Sequence, residues 1–462
     1  MGNYGLLLLL LGLMVVGYQM GLVRSRAMAH GGREAGLARM HSRPQHHGVR
    51  LALLAGGPAL LLVVAWLVFA PTVIDASIST QISVERPGLT DNEMRVALRR
   101  IHALTGERGF VQGAQPWELA AAEQLRALRR TSAWLLTGLA AGLAAVGLLF
   151  GFRRMNPALR ARNQIERVVQ VALMLSSAVA ILTTIGIVLS MVGETLKFFQ
   201  FIRPADFFFG TVWNPVFHVT ETSGYGRYGM LPLLGGTMLV AAIAMAVAIP
   251  IGLFAAIYLA EYASSWVRSF AKPALEVLAG IPTIVYGFFA LVAVGPFLAG
   301  LGDMVGLNIR ATSALTAGVV MGIMLIPFIS SLSDDIITQV PKSLRDGSLG
   351  LGATRSETIR RVVLPAALPG IVGAVLLAAS RAVGETMIVV LAAGNSPVLT
   401  ANPFDAVSTM TVTIVNQLTG DSDFAGPQSL VAFALGLTLF VITLFLNVIA
   451  LMIVRRYREQ YD

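Results

Sequence analysis

The chain has 462 residues, of which 55% are hydrophobic and only 13% charged, with a mean hydropathy of +0.73, too little polar surface to cover a soluble globule. The formal net charge of +9 comes almost wholly from arginine, the three lysines being Lys197, Lys272 and Lys342, and it gathers in short loops, which is the signature of membrane topology and not of nucleic-acid binding. With no cysteine, disulfides and thiolate metal sites are excluded.

Residues 6–23 form the first apolar run long enough to span a bilayer. No basic residue precedes it and no small-x-small cleavage site follows it, so a retained helix is expected. Residues 24–50 hold six arginines against one acid, Glu34, which places this loop in the cytoplasm and the N-terminus outside. The loop also carries His30, His41, His46 and His47. A metal site is conceivable there, but irregular spacing and the lack of a second carboxylate favour a flexible linker. Spans at 51–70 and 132–152 enclose an exported segment, 71–131, with helical periodicity over 94–104 and 117–128, read as a helical hairpin. His102 stands apart from any catalytic constellation, and acids alternate with arginines as on a solvated face, so a packing or regulatory appendage is expected. Residues 1–152 are read as one N-terminal extension with about three membrane helices.

Arg153, Arg154, Arg160, Arg162 and Arg167 against the single acid Glu166 return the chain to the cytoplasm and open a second domain, 153–462. Six further spans follow at about 168–192, 231–260, 277–301, 311–331, 366–393 and 430–454. Their loops alternate consistently. The polar stretch 341–365 and the tail with Arg455, Arg456 and Arg458 fall inside, and the loop with Asp405, Asp421 and Asp423, which has no basic residue, falls outside. The fold class is therefore an all-α integral membrane protein.

Within 341–365, PKSLRDGSLGLGATRSETIRRVVLP, Pro341 suits a first helical turn, Gly350 and Gly352 suit a C-cap, and Thr354 with Glu357 forms a capping box. The stretch reads as helix, glycine break, helix. Between Arg361 and Asp405 the ionisable side chains are Arg381 and Glu385, which a continuous helix would place on one face, close enough to pair. An intramembrane charge costs about +2.5 to +3.5 kcal/mol on insertion scales, so such residues face a bundle interior or a watery path. A structural salt bridge satisfies this, and so does a substrate contact in which the planar guanidinium meets a tetrahedral oxyanion while Glu385 orients it or repels misplaced anions. The turn Trp213-Asn214-Pro215 braces an exterior mouth, touches a partner, or anchors at the interface.

None of the three lysines follows a glycine, so the chain has no Gly-x4-Gly-Lys-Ser/Thr loop, and Gly350-Leu351-Gly352 is too short for a nucleotide fingerprint. No catalytic residue, metal ligand set or cofactor is expected.

The stretch 341–365 resembles the cytoplasmic coupling loop of bacterial ABC importer permeases, in which a Glu-Ala-Ala triplet is followed by a glycine and then Ile-x-Leu-Pro. Here the triplet is Asp346, Gly347 and Ser348, the glycine is Gly352, and the end is Val362, Val363, Leu364 and Pro365, so the likeness lies in spacing more than identity. Six helices with this loop between the fourth and fifth resemble the type I ABC importer permease core. With FFFGTVWNP (207–215) and RAVGETM (381–387), the core looks like the C-type permease subunit of the phosphate-specific importer. The resemblance implies a multi-pass protein of the bacterial inner membrane that imports inorganic phosphate and is not itself an enzyme. The implied partners are a second, A-type permease subunit, an ATP-binding subunit dimer that supplies the energy, an exported phosphate-binding protein, and membrane lipid. It further implies that Arg381 and Glu385 line the substrate pathway and that Asp346, Gly347, Ser348, Gly352, Leu364 and Pro365 couple to the ATPase. The alternatives are a permease for another oxyanion, such as sulfate or molybdate, and a membrane sensor or scaffold. A channel or ion-coupled transporter is expected to show more intramembrane ionisable groups or interrupted helices.

Overall fold

The structure is a computed structural model and describes residues 3–34, 40–85, 91–105, 115–215, 226–419 and 426–457. Asp421, Asp423 and Arg458 of the topology argument lie outside these residues, as do the side chains of His30 and Glu34. Among the described residues nine helices are long and apolar enough to cross a membrane, which matches three spans followed by six. Two compact units, Met1–Ile181 and Leu182–Asp462, divide the chain.

The first unit is built on α1 (Asn3–Glu34), α2 (Pro44–Glu85), α3 (Asp91–Thr105) and α4 (Pro116–Arg153). Leu6 and Leu10 of α1, Ala59 and Val63 of α2, and Leu136, Ala140 and Ala144 of α4 form one apolar seam. Without a water-driven force between apolar helices, close approach of small residues does the packing. A Cβ on Gly21 would lie 2.8 Å from the Gly48 Cα, so the backbones of α1 and α2 cross in near contact there. At 42 residues α2 is about 63 Å long, twice a bilayer core, and its far end leaves the span to build a second cluster. Ile78 and Ile82 meet Ile101 and Leu104 of α3 and Ala121, Ala122 and Leu125 of α4. These are the helices expected from the periodicity of 94–104 and 117–128. His102 does not stand alone in space: its Nε2 lies 3.1 Å from Asp75 Oδ1, and its Nδ1 2.6 Å from Arg129 Nη2, so it ties α2, α3 and α4 together.

Helix α5 (Ala161–Phe201) carries the chain into the second unit. There follow α6 (Pro204–Phe209), the hairpin strands β1 (Trp213–Pro215) and β2 (Gly226–Tyr228), and α7 (Leu231–Ile257), which ends in a π-helical turn, Tyr258–Tyr262. Next come α8 (Ser265–Ala279), α9 (Thr283–Phe289), a π-helical turn Ala290–Val294, α10 (Gly295–Met304) and α11 (Ala314–Gln339). The chain closes with α12 (Lys342–Gly350), α13 (Arg355–Thr358), a third π-helical turn Ile359–Val363, α14 (Leu364–Val383), α15 (Met387–Ala392), α16 (Met410–Thr419) and α17 (Pro427–Tyr457).

Helices α7 and α11 form the spine of this unit, because glycine lets them interlock. Cβ atoms on Gly318 and Gly322 would come within 2.6 and 2.8 Å of the Ile243 and Val247 Cβ atoms. Around that spine Val240, Ala244, Met321, Leu325, Ile329, Ala378, Ala382, Ile388 and Val412 form the main core.

Two expected spans differ from the structure. The run drawn at 277–301 is two elements: α8 is amphipathic with no buried residue, and the span begins only at Thr283. The chain turns at Gly280-Ile281-Pro282, since a proline pushes the residue before it out of the helical region. The second difference, in the run drawn at 366–393, falls at the candidate site.

Candidate substrate pathway and coupling surface

Helix α14 stops at Val383, with Gly384 as its C-cap, and α15 begins at Met387, so the expected continuous helix is interrupted by Gly384, Glu385 and Thr386. Glu385 consequently leaves the helical face it was expected to share with Arg381, and no ion pair joins the two side chains. Glu385 instead turns back on its own backbone. Its Oε1 accepts a hydrogen bond of 3.1 Å from Met387 N, and its carbonyl accepts one of 2.8 Å from Thr411 Oγ1. At 9% exposure it is a buried acid held by the break.

Arg381 sits on the last turn of α14, where the helix dipole favours a cation. Its guanidinium carbon lies 5.5 Å from the ring centroid of Phe328 on α11, a cation–π distance. The residue is exposed, so the donor fork is open on its other side. Beside the break runs a hydroxyl ladder that composition hid within an apolar chain. Thr409 and Thr411 Oγ1 are 2.9 Å apart, Ser408 Oγ lies 3.2 Å from Thr413 Oγ1, and Met410 N donates to Thr237 Oγ1 at 3.0 Å. All five hydroxyl residues are buried. The run Ser408 to Thr413, three threonines and a serine among apolar neighbours, was the sequence signal for it. Phe328 had none.

In the coupling stretch Pro341 caps α12 from outside its first turn, one position earlier than expected. The capping box at α13 is complete: Thr354 Oγ1 accepts from Glu357 N at 3.3 Å, and Thr354 N donates to Glu357 Oε2 at 2.9 Å. Between the two helices Gly352 adopts φ +89°, with open space where a Cβ would be. Asp346 and Gly347 are exposed, while Ser348 Oγ lies 3.0 Å from Thr358 Oγ1 and binds α12 to α13. Leu364 and Pro365 enter α14, half-buried and exposed respectively. Helix α12 has no buried residue and Leu351 is 92% exposed, so the tip presents an uncovered apolar point.

The turn Trp213-Asn214-Pro215 is strand β1, paired antiparallel with Gly226–Tyr228. Trp213 is buried edge-on against Tyr228 at 5.7 Å, and Tyr228 meets Phe198 at 5.8 Å. The tryptophan therefore belongs to an aromatic core, while Asn214 is exposed. Burial pushes the Tyr228 hydroxyl up to about 12, which keeps it neutral at working pH. A cavity of about 630 Å³ opens beside the hairpin, with Arg203, Asp206 and Arg227 in its lining. Of the histidines flanking α1 and α2, His41 is exposed, His46 half-buried and His47 buried, and no group of three or more metal-ligating side chains occurs among the described residues.

Residues 248–459 match the family described as binding-protein-dependent transport system inner membrane component, and residues 6–107 match one described as phosphate ATP-binding cassette transporter. An ABC transporter permease protein of Bacillus subtilis is 36% identical over 256 residues, covering 55% of this chain and 79% of its own. The phosphate transport system permease protein PstC of Mesorhizobium japonicum is 37% identical over 253 residues, 52% of this chain and 74% of its own. PstC of Xylella fastidiosa is 34% identical over 306 residues, 62% of this chain and 91% of its own.

Proposed function

The chain belongs to the permease family of phosphate ABC importers, and from that membership we propose that phosphate passes the break in the fifth core span, where Arg381 meets it. The protein is a multi-pass permease subunit of the bacterial inner membrane that serves inorganic phosphate import, and a separate partner subunit hydrolyses the ATP. It works with ATP-binding and substrate-binding partners. The finer assembly that fits is a second, A-type permease subunit, an ATP-binding dimer and an exported phosphate-binding protein.

The observation that carries the site assignment is an exposed arginine within an apolar run whose donor fork meets no carboxylate among the described residues. A charge within a membrane span ordinarily finds a counter-charge, and in this chain the acid four residues on is engaged with backbone. That leaves the fork for an oxyanion, which it can grip with two parallel hydrogen bonds. Glu385, fixed beside the path, disfavours an anion that is not held by the arginine, and Thr411 fixes its backbone. The interrupted helix, expected of a channel or an ion-coupled transporter, here takes Glu385 off the face it would share with Arg381, so that the two charges do not pair. The exposed tip around Gly352 and Leu351 is the surface that meets the ATP-binding subunit, and the Trp213 hairpin braces the outer mouth.

The test is uptake of labelled phosphate by vesicles containing the assembled importer with Arg381→Ala. Loss of charge-assisted hydrogen bonds worth about 1.5–3 kcal/mol lowers uptake by roughly tenfold to a hundredfold. Parent-like uptake by an inserted, assembled variant removes Arg381 from the pathway. Labelled sulfate and molybdate in the same vesicles separate phosphate from other oxyanions.

A further inference from the structure

The two helices of the coupling stretch both reach back to one place, the π-helical turn Tyr258–Tyr262 that closes α7. Arg345 of α12 places Nη2 3.0 Å from Glu261 Oε1 and donates from the same nitrogen to the Ile337 carbonyl of α11 at 2.6 Å. Arg355, the first residue of α13, sets its guanidinium carbon 5.1 Å above the ring of Tyr262, the next residue along. The Ser348–Thr358 contact joins α12 to α13 from within. Adjacent residues of α7 are thus held from both sides of Gly352.

This is not an ordinary surface ion pair. The Arg345 and Glu261 side chains are only 20% and 10% exposed, so solvent screens them less and neither has an easy alternative in water. Because Arg345 also holds the last turn of α11, it ties the stretch to both members of the glycine-interlocked spine, and α11 carries Phe328 beneath Arg381. A hinge at this place would absorb a push on the loop. A clasp transmits it.

We propose that Arg345 and Arg355, gripping Glu261 and Tyr262, are positioning residues that make the coupling stretch and the inner ends of α7 and α11 one mechanical unit, so that motion at the exposed tip moves the spine. The inference rests on the reading that this tip meets the ATP-binding subunit. No residue of the clasp touches phosphate, and its readout is the ratio of phosphate imported to ATP hydrolysed.

The experiment uses the whole importer in vesicles, with binding protein and labelled phosphate outside and ATP inside, for the variants Glu261→Arg, Arg345→Glu, their double reversal, and Leu351→Asp. Each single reversal is expected to lower uptake per ATP by about tenfold, and the double reversal to recover to within about threefold of the parent, the behaviour of two directly coupled residues. Recovery that fails, or single reversals that transport as well as the parent, overturns the clasp. If the reversals do not assemble, Glu261→Gln, which keeps shape and loses charge, replaces them: a lowered ratio supports the clasp and an unchanged one overturns it. For the second grip, Tyr262→Phe keeps the ring and is expected to transport normally, whereas Tyr262→Leu lowers the ratio; equal ratios overturn that contact. Leu351→Asp is read separately. If it leaves assembly and coupling intact, the docking reading itself fails, whatever the clasp variants do.

Discussion

Arg381 and Glu385 are four positions apart, yet one lies in the last turn of a helix and the other accepts from the first amide of the next. Keeping opposite charges apart within an apolar run demands something for each to rest on, and for Arg381 that is the face of Phe328. A cation–π contact is worth about 0.5–2 kcal/mol depending on desolvation, so removing the ring frees the guanidinium to seek Glu385. Phe328→Leu is therefore expected to slow initial phosphate uptake roughly twofold to thirtyfold, while Phe328→Trp, which keeps a π-face, stays near the parent. Equal rates for the two variants would show that only packing volume matters there. Glu385→Gln retains an oxygen to accept from Met387 N, so it is expected to insert normally and to lose discrimination between phosphate and sulfate in a competition uptake assay. Both charged residues stood out in the sequence because they are isolated in an apolar run, but their separation did not. A glycine within such a run can sit inside a helix or end one, and the hydrogen bonds that hold the break, Met387 N to Glu385 Oε1 and Thr411 Oγ1 to the Glu385 carbonyl, come from residues the run does not single out.

Elements were most legible where their signals are local. The Thr354–Glu357 box needs four consecutive residues and nothing else, and it closes as expected. The amphipathic α8 was lost in a longer apolar run because Val277 and Leu278 extend the hydropathy of α9, although Pro282 marked the boundary. What α8 does was beyond sequence reasoning: Arg268 and Lys272 reach 66 and 62 residues along the chain to Asp334, a carboxylate only 2% exposed. Gly352 carries the element-scale prediction. Its φ of +89° strains any β-branched side chain, whereas the open space around it removes any steric objection. Gly352→Val is expected to destabilise the loop by about 1–2 kcal/mol and lower uptake per ATP, and Gly352→Asn, a residue that tolerates left-handed backbone, to fall between the valine variant and the parent. Full coupling in the valine variant would show that the geometry of the break is immaterial.

On the scale of the molecule the count of spans was readable because each is a long apolar stretch bounded by arginine or polar residues, and the bilayer thickness fixes the length. The division of labour was not. The extension of residues 1–152 has its own apolar seam and its own cluster at the far ends of α2, α3 and α4, and residues 6–107 match a family of phosphate transporters. The six core spans, the coupling stretch and the charged pair all follow residue 153. We therefore expect a chain begun just before Arg153 and expressed with its partners to insert, assemble and import phosphate at a rate within a few-fold of the parent, with any change appearing in regulation. Assembly without import, measured in the same vesicles, would make the extension part of the transport path.

The π-helical turn that ends α7 holds one residue more than an α-helical turn would, and such insertions weaken the local hydrogen-bond ladder. The wider turn takes up the extra residue locally, so the helix before it keeps its phase and the bulge alone sets where Glu261 and Tyr262 stand. Deleting Ala260 would let the segment close in α form and shift those two side chains relative to Arg345 and Arg355. A lesion of this kind removes no partner and changes no charge, only the place at which one rod is held to another.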